Sequence, residues 1–313
     1  FLPDSDPSVA TYIDGIYYPF ANGQSQAFGA VERIEVLKGP QGTLFGRNST
    51  GGAINIITKS PGDVTEVSLQ ASYERFDTLS RRVHLSAPVN DQLAFSFSYT
   101  ATDAENYYDC TRGDGNGGFE TCPDEQSEGY RYKMRLTPRD DMELNLAYIK
   151  FDQYGVSSTA MPNVAPSLLS QVQGIQAAED DYEVKVNVPS YFSLDNDVFY
   201  GQFVWNTDWF DLKLLGSWQE IVTDNVYDFD GSEQPFILFD AKGQFADVKT
   251  QEIQIVSNEN SPAWLDWIVG AFHINQEAGF PINSLGAAGL DTLISDVTSL
   301  FPPGAQDAID AFL

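Results

Sequence analysis

The chain has 313 residues, enough for one large or two medium domains. Its 45 acidic against 17 basic residues give a net charge of −28, which speaks against nucleic acid as a partner. Hydrophobic content is an ordinary 42%, and no apolar run approaches the roughly 18 residues of a membrane-spanning helix, although a membrane β-barrel stays open because its signal is weak in each segment. Phe1-Leu2-Pro3-Asp4 is not a signal-peptide start, and the first residue is not methionine. The chain is therefore expected to begin inside a longer or processed protein.

The first informative element is Val31–Pro61. Val31 to Val36 alternates as a short strand does, and Ala53-Ile54-Asn55-Ile56-Ile57-Thr58 is a second strand-like run rich in β-branched residues. Between them lie Pro40 and five glycines, Gly39, Gly42, Gly46, Gly51 and Gly52, with Leu44 and Phe45 as the large apolar side chains. Glycine admits positive φ and close backbone approach, so this is a tightly folded connector held more by backbone contacts than by side-chain packing. No glycine here is followed by the lysine and hydroxyl of a phosphate loop, and a dinucleotide fingerprint needs a helix where this region has strands on both sides. Asn48-Ser49-Thr50 matches a glycosylation sequon, a pattern frequent by chance.

From Thr65 the pattern changes to long amphipathic strands. Val67, Leu69, Ala71 and Tyr73 alternate with polar residues, as do Val83, Leu85 and Ala87, then Leu93, Phe95, Phe97 and Tyr99. Tyr130, Tyr132, Met134 and Leu136 alternate with Arg131, Lys133 and Arg135; Leu144, Leu146 and Tyr148 follow, then Phe199, Phe203 and Trp205, then Phe210, Leu212, Leu214 and Trp218. Gln251–Val256 and Leu265–Ile274 complete about nine strands less cleanly. About ten residues is what a tilted strand needs to cross a bilayer. The connections near Val89–Asp91, Pro138–Asp141, Asn206–Asp208 and Asn258–Pro262 are short, whereas 104–128, 154–197 and 223–245 are long. Short turns on one side and long loops on the other is the layout of an outer-membrane barrel. Trp205 and Trp209 at one short turn, with Trp264 and Trp267 after another, suit an interfacial girdle.

Cys110 and Cys122 are the two cysteines, and both lie in the long loop 104–128, which suggests a local disulfide. Neither a C-x-x-C spacing nor a nearby histidine favours a metal. His84 and His273 read as lumen or girdle residues. Asp114, Asn116 and Glu125 fit positions one, three and twelve of a calcium loop, but Phe119 stands where the turn wants glycine. Asp228–Glu233 reads as a solvated acidic turn. Leu290, Leu293, Ile294, Val297 and Leu300 have helical spacing that ends at Pro302-Pro303-Gly304, predicting a small helix within a loop. No Ser/His/Asp arrangement, metal cluster or phosphate loop supports catalysis.

Val31–Val36, Lys38-Gly39-Pro40-Gln41-Gly42-Thr43-Leu44-Phe45-Gly46-Arg47 and Gly51–Ile56 together resemble the plug domain of TonB-dependent outer-membrane receptors. Tyr12-Ile13-Asp14-Gly15-Ile16-Tyr17 resembles the preceding plug strand, and Lys38 stands where the family commonly has arginine. The resemblance rests on Arg33, Glu35, Lys38, Gly39, Pro40, Gly42, Phe45, Gly46, Arg47, Gly51 and Gly52. It implies an all-β protein: the later part of a plug in 1–62, then about nine antiparallel strands of an incomplete, 22-stranded barrel in 63–313. An open sheet would leave an unpaired edge in lipid, so the chain reads as a truncated piece of a longer receptor.

The resemblance further implies a bacterial outer-membrane location and active transport of a scarce small-molecule ligand, driven by the TonB–ExbB–ExbD energising complex. A ferric siderophore is the default ligand, with cobalamin or an oligosaccharide as alternatives. No intrinsic cofactor is implied, the iron or cobalt belonging to the ligand. A plug held by breakable polar contacts makes Arg33, Lys38 and Arg47 candidates to pair with lumen acids, and Glu32 and Glu35 with lumen bases such as Arg131, Lys133 and Arg135. The rival readings are a passive porin and a surface-binding adhesin; a passive porin lacks a separately folded plug.

Overall fold

The computed structural model describes residues 8–18, 30–40, 49–112, 122–156, 183–186, 190–228, 238–262, 264–281 and 284–286. These form two main sheets. The small one contains β1 (Val9–Ile13), β2 (Ile16–Tyr18), β3 (Val31–Lys38) and β4 (Gly52–Thr58), in the order β2-β1-β4-β3. β1 and β4 are parallel, and β3 returns antiparallel along β4.

The single strand expected over Tyr12–Tyr17 is instead a hairpin. Asp14 and Gly15 have φ of 51° and 82°, the positive values that a two-residue turn requires and that an Asp-Gly pair supplies. Gly52 has φ of 152°, and a side chain there would collide with the Leu37 carbonyl oxygen, so this glycine sets how closely β3 and β4 approach.

The large sheet forms a wall of nine strands on one continuous path: β5 (Glu66–Glu74), β6 (Thr78–Asn90), β7 (Leu93–Ala104), β9 (Glu125–Arg139), β10 (Met142–Val156), β12 (Tyr191–Asn206), β13 (Phe210–Asp228), β14 (Leu238–Ser257) and β15 (Ile268–Gly279). Each is antiparallel to its neighbours. The short β16 (Ser284–Gly286) adds to β14, and β8 (Asp109–Arg112) pairs in parallel with β11 (Glu183–Val186). Leu285 is thus in a strand, and the helical run from Leu290 lies outside the described residues.

β12, β13 and β14 are 16, 19 and 20 residues long, well beyond the ten expected. Sequence reading ended them where charges appear among the outward positions. In the fold, pairing continues because the inward positions there, Leu194, Ile221, Ala246 and Val248, pack into one buried cluster. The outward face of the wall is apolar lower down. Phe97 packs on Tyr132 with ring centroids 5.0 Å apart, and Tyr132 stacks near Tyr148 at 6.4 Å. Ser86, Ser96, Ser98, Thr100, His84, Arg131 and Lys133 lie on the inward face and are buried. The two sheets share a core of Ile13, Ile16, Tyr18 and Ile56 against Ala147, Ile149, Val198 and Tyr200.

Candidate functional site

The two sheets meet at the β1–β2 turn. Its positive-φ backbone turns Asp14 toward the end of β4, and the Asp14 amide donates to the Ile56 carbonyl at 2.9 Å. The Asp14 carboxylate then accepts from the Thr58 amide at 2.8 Å and the Thr58 hydroxyl at 2.6 Å, both within the small sheet. From the wall, Lys133 Nζ on β9 lies 2.8 Å from Asp14 Oδ2, and the Tyr200 hydroxyl on β12 donates to the same oxygen. Lys133 also donates to the Thr58 carbonyl at 3.4 Å.

Lys133 is 8% exposed and Asp14 is 13% exposed, so the pair is buried. Burial alone would raise the Asp14 carboxyl, but the Lys133 charge and the bonds from Lys133, Thr58 and Tyr200 outweigh it and hold the group below its ordinary value. A buried ion pair is stable only when its remaining lone pairs are satisfied. Four donor groups on one carboxylate meet that condition.

Two further bonds cross the seam. Arg131 donates to the Ala30 carbonyl at 3.3 Å, and Gln219 on β13 donates to the Tyr17 carbonyl at 2.8 Å. Each neutral hydrogen bond contributes about 1 kcal/mol, whereas burying an isoleucine contributes about 1.5–3 kcal/mol. The Ile13, Ile16 and Ile56 contacts therefore supply most of the adhesion, and the Asp14 clamp fixes the position.

The anticipated bases Arg131, Lys133 and Arg135 occur at i, i+2 and i+4 on β9, so the pleat sends all three inward. Their partners differ from those expected. Lys133 takes Asp14, Arg131 takes a carbonyl, and Arg135 pairs with Asp63 in the segment after β4. Glu32 and Glu35 do not pair with these bases, because Arg33 lies between them and takes both carboxylates, at 2.7 and 2.8 Å on an exposed strand. Arg33 itself accordingly reaches no acid of the wall among the described residues. Glu35 also accepts from Asn55 at 3.0 Å, and Arg33 first, then Asn55, holds its carboxyl below the ordinary value.

Lys38 makes no ion pair with a described acid. Gly39 (φ 84°) donates its amide to the Gly51 carbonyl at 3.1 Å, and the Gly51 amide donates to the Ser8 carbonyl at 2.8 Å, so backbone bonds of these glycines join the two ends of the connector. Pro40 follows directly, and Gly42, Phe45, Gly46 and Arg47 lie outside the described residues. Asp14 was missed as a partner; its signal was the Asp-Gly pair inside an apolar run, which marks a turn and places a carboxylate at its tip.

Elsewhere, Cys122 is disulfide-bonded and buried with Val184 of β11, while the Cys110 side chain lies outside the description. Asp114, Asn116 and Phe119 of the calcium pattern also lie outside it. His84 faces inward and shares a hydrogen bond with Ser98 at 3.0 Å. The Trp205 indole donates to Asp141 at 3.0 Å, and Trp209, Trp264 and Trp267 stand at the same short-turn end. Among the described residues no three His, Cys, Asp or Glu side chains are arranged to hold a metal.

A small sheet clamped against the polar inner face of a long antiparallel wall, with an apolar outer face, defines a plugged outer-membrane β-barrel protein. Residues 4–53 match the TonB-dependent receptor plug domain family. The pesticin receptor of Yersinia pestis is 31% identical over 138 residues, covering 43% of this chain and 20% of that receptor. The catecholate siderophore receptor Fiu of Escherichia coli K12 is 36% identical over 72 residues, 23% of this chain and 9% of that receptor. Among solved structures, the ferric yersiniabactin uptake receptor FyuA from Yersinia pestis superposes with a TM-score of 0.71 at 19% identity, over 90% of this chain and 42% of that one. The chain thus spans well under half the length of the receptors it matches. Residues 4–53 thus carry a TonB-dependent receptor plug domain, and the chain is similar to receptors of the bacterial outer membrane.

Proposed function

We propose that this chain supplies the plug and part of the barrel wall of an energised uptake receptor for a ferric siderophore. The observation that carries the reading is the Asp14 clamp: a separately folded sheet packed on the inner wall and fixed in position there by one satisfied ion pair and a few hydrogen bonds. A passive pore has no use for such an occlusion. A permanent cork has no use for a seam whose position is fixed by polar bonds, which exchange readily with water once pulled apart. The ligand assignment is supported by two of the similar proteins, Fiu, named for catecholate siderophores, and FyuA, named for ferric yersiniabactin, while the pesticin receptor is named for pesticin. The energising partner, TonB with ExbB and ExbD, would act on the plug from the periplasmic side, with the barrel strands held by outer-membrane lipid. No chemistry on the ligand is assigned to the chain, so we read it as a transporter and not an enzyme.

The test is uptake of radio-iron bound to yersiniabactin, by cells whose remaining siderophore receptors are deleted and which express the full-length polypeptide. Accumulation that disappears when the energising complex is removed supports the reading. Equal accumulation without that complex identifies a passive pore, and binding to cells without accumulation identifies an adhesin.

A further inference from the structure

The pair formed by β8 and β11 stands apart from both larger sheets. β8 lies in the connection between β7 and β9, and β11 in the connection between β10 and β12; among the described residues each pairs with the other alone. Each strand has four residues, the pairing is parallel, and the register places two acids, Asp109 and Glu183, at facing positions. A lone two-stranded pair is marginal in water. Parallel pairing is slightly weaker than antiparallel, and like charges at facing positions weaken it further. The backbone ladder therefore does not account for this pair by itself.

Cys122 supplies what the ladder lacks. The register sets Val184 of β11 opposite Cys110 of β8. Cys122 is disulfide-bonded, and Cys110 is the one other cysteine of the chain. Cys122 and Val184 are 2% and 0% exposed and form one buried cluster, on which Tyr108 and Val156 pack. Val156 is the last residue of β10, so the cluster is seated on the end of the wall. At the root of the first connection the Asn106 amide donates to the Asp124 carboxylate at 3.1 Å, and Asn106 Nδ2 donates to the Pro123 carbonyl at 3.0 Å. That connection is thus closed twice, and the second closure carries the cysteine that stands opposite Val184.

We propose that β8, β11 and the disulfide form a strap that ties the β7–β9 and β10–β12 connections into one unit at the long-connection end of the wall. The disulfide removes conformations of the first connection that would carry β8 away from β11, and it completes the apolar contact that buries Val184. The coupling is reciprocal, so the disulfide protects the β11 pairing and the β11 pairing protects the disulfide. On the receptor reading this end admits the ligand, and connections ordered in advance lower the ordering cost of binding. That consequence rests on the receptor reading; the strap itself does not.

Both directions can be measured on the purified full-length polypeptide in detergent micelles. Tryptic cleavage after Lys185, inside β11, is followed by mass spectrometry in the unaltered protein and in the Cys110→Ala/Cys122→Ala double variant, with cleavage after Arg139 at the short-turn end as the control. Loss of the disulfide should raise cleavage after Lys185 several-fold and leave Arg139 unchanged, although both cysteines lie in the other connection. An unchanged rate at Lys185, or an equal rise at the two sites, would overturn the proposal. Conversely, Val184→Asp should let dithiothreitol reduce the disulfide several-fold faster, read by thiol alkylation, and an unmoved reduction rate would overturn it too. This second arm decides the matter even if the double variant does not fold. Neither arm involves transport, so failed uptake would leave the strap standing, and uncoupled connections would leave the uptake reading standing.

Discussion

Along β12 the outward positions run Trp205, Phe203, Gly201 and Phe199 before turning to Asp197 and Asp195, while the inward positions run Gln202, Tyr200, Val198, Asn196 and Leu194. The two faces of the wall exchange character with height. Low on the wall the outside is apolar and the inside polar; higher up the outside is charged and the inside becomes apolar. The switch follows a single hydrogen-bonded row, in which Lys150, Asp197, Glu220, Asp247 and Glu277 are direct partners on successive strands. Four carboxylates and one ammonium side by side repel unless solvated, so this row cannot sit in hydrocarbon. Below it β10, β12 and β13 carry apolar outward residues over six to eight positions, about 20–26 Å along the strand, whereas β14 and β15 first carry Lys249, Gln251, Asn275 and His273 before Ile253 and Val269. The outer face therefore responds to lipid and the inner face to the plug, and each can be disturbed separately.

The largest effect is expected at the inner face. Lys133→Met leaves the Asp14 carboxylate buried without its countercharge and should weaken docking of the small sheet by about 3–5 kcal/mol, read as a lower temperature for protease cleavage of the plug in the full-length polypeptide. On the outer face, Leu214→Arg places a charge in the apolar band and should cost about 2–4 kcal/mol of barrel stability in lipid vesicles. Glu220→Arg on the same strand lies at the charged row and should leave that stability nearly unchanged. If both outer substitutions cost the same, the assignment of the lipid boundary is wrong.

Within the small sheet, Gly52→Ala should cost about 1–3 kcal/mol, because the backbone would have to move off its positive φ and away from the Leu37 carbonyl. Acid gives a smaller and reversible effect. The Asp14 pKa is depressed from an ordinary 3.8, so its stabilisation is fully present above that value and declines as pH falls through the lower, folded one. Plug release should thus begin only below about pH 4, and Asp14→Asn should remove that acid-dependent component. Arg33→Ala should change nothing measurable in plug retention, since its bonds to Glu32 and Glu35 are solvent-exposed and local.

Legibility in the sequence followed periodicity. Both β3 and β4, all nine wall strands and the parity of short and long connections could be read from alternating side chains and turn residues. Strand ends could not, because β12 to β14 reverse which face is apolar at the charged row, and an alternation that changes sign looks like an ending. The inward direction of Arg131, Lys133 and Arg135 was readable from their spacing. Their partners were not, because pairing across the seam depends on how one sheet sits in the other. Asp14 becomes the clamp through a turn that points it at β9 from more than a hundred residues away, and Arg33 is lost to the seam because two nearer acids claim it.

The most direct measurement is a double-mutant cycle on Asp14 and Lys133, using Asp14→Asn, Lys133→Met and their combination in the full-length polypeptide, with the thermal release of the plug as readout. If the clamp positions the plug, the combined loss should fall short of the sum of the single losses by about 1–3 kcal/mol, as expected for groups in direct contact. Losses that simply add would mean that Asp14 and Lys133 do not act together, and that the plug is held against the wall by packing alone.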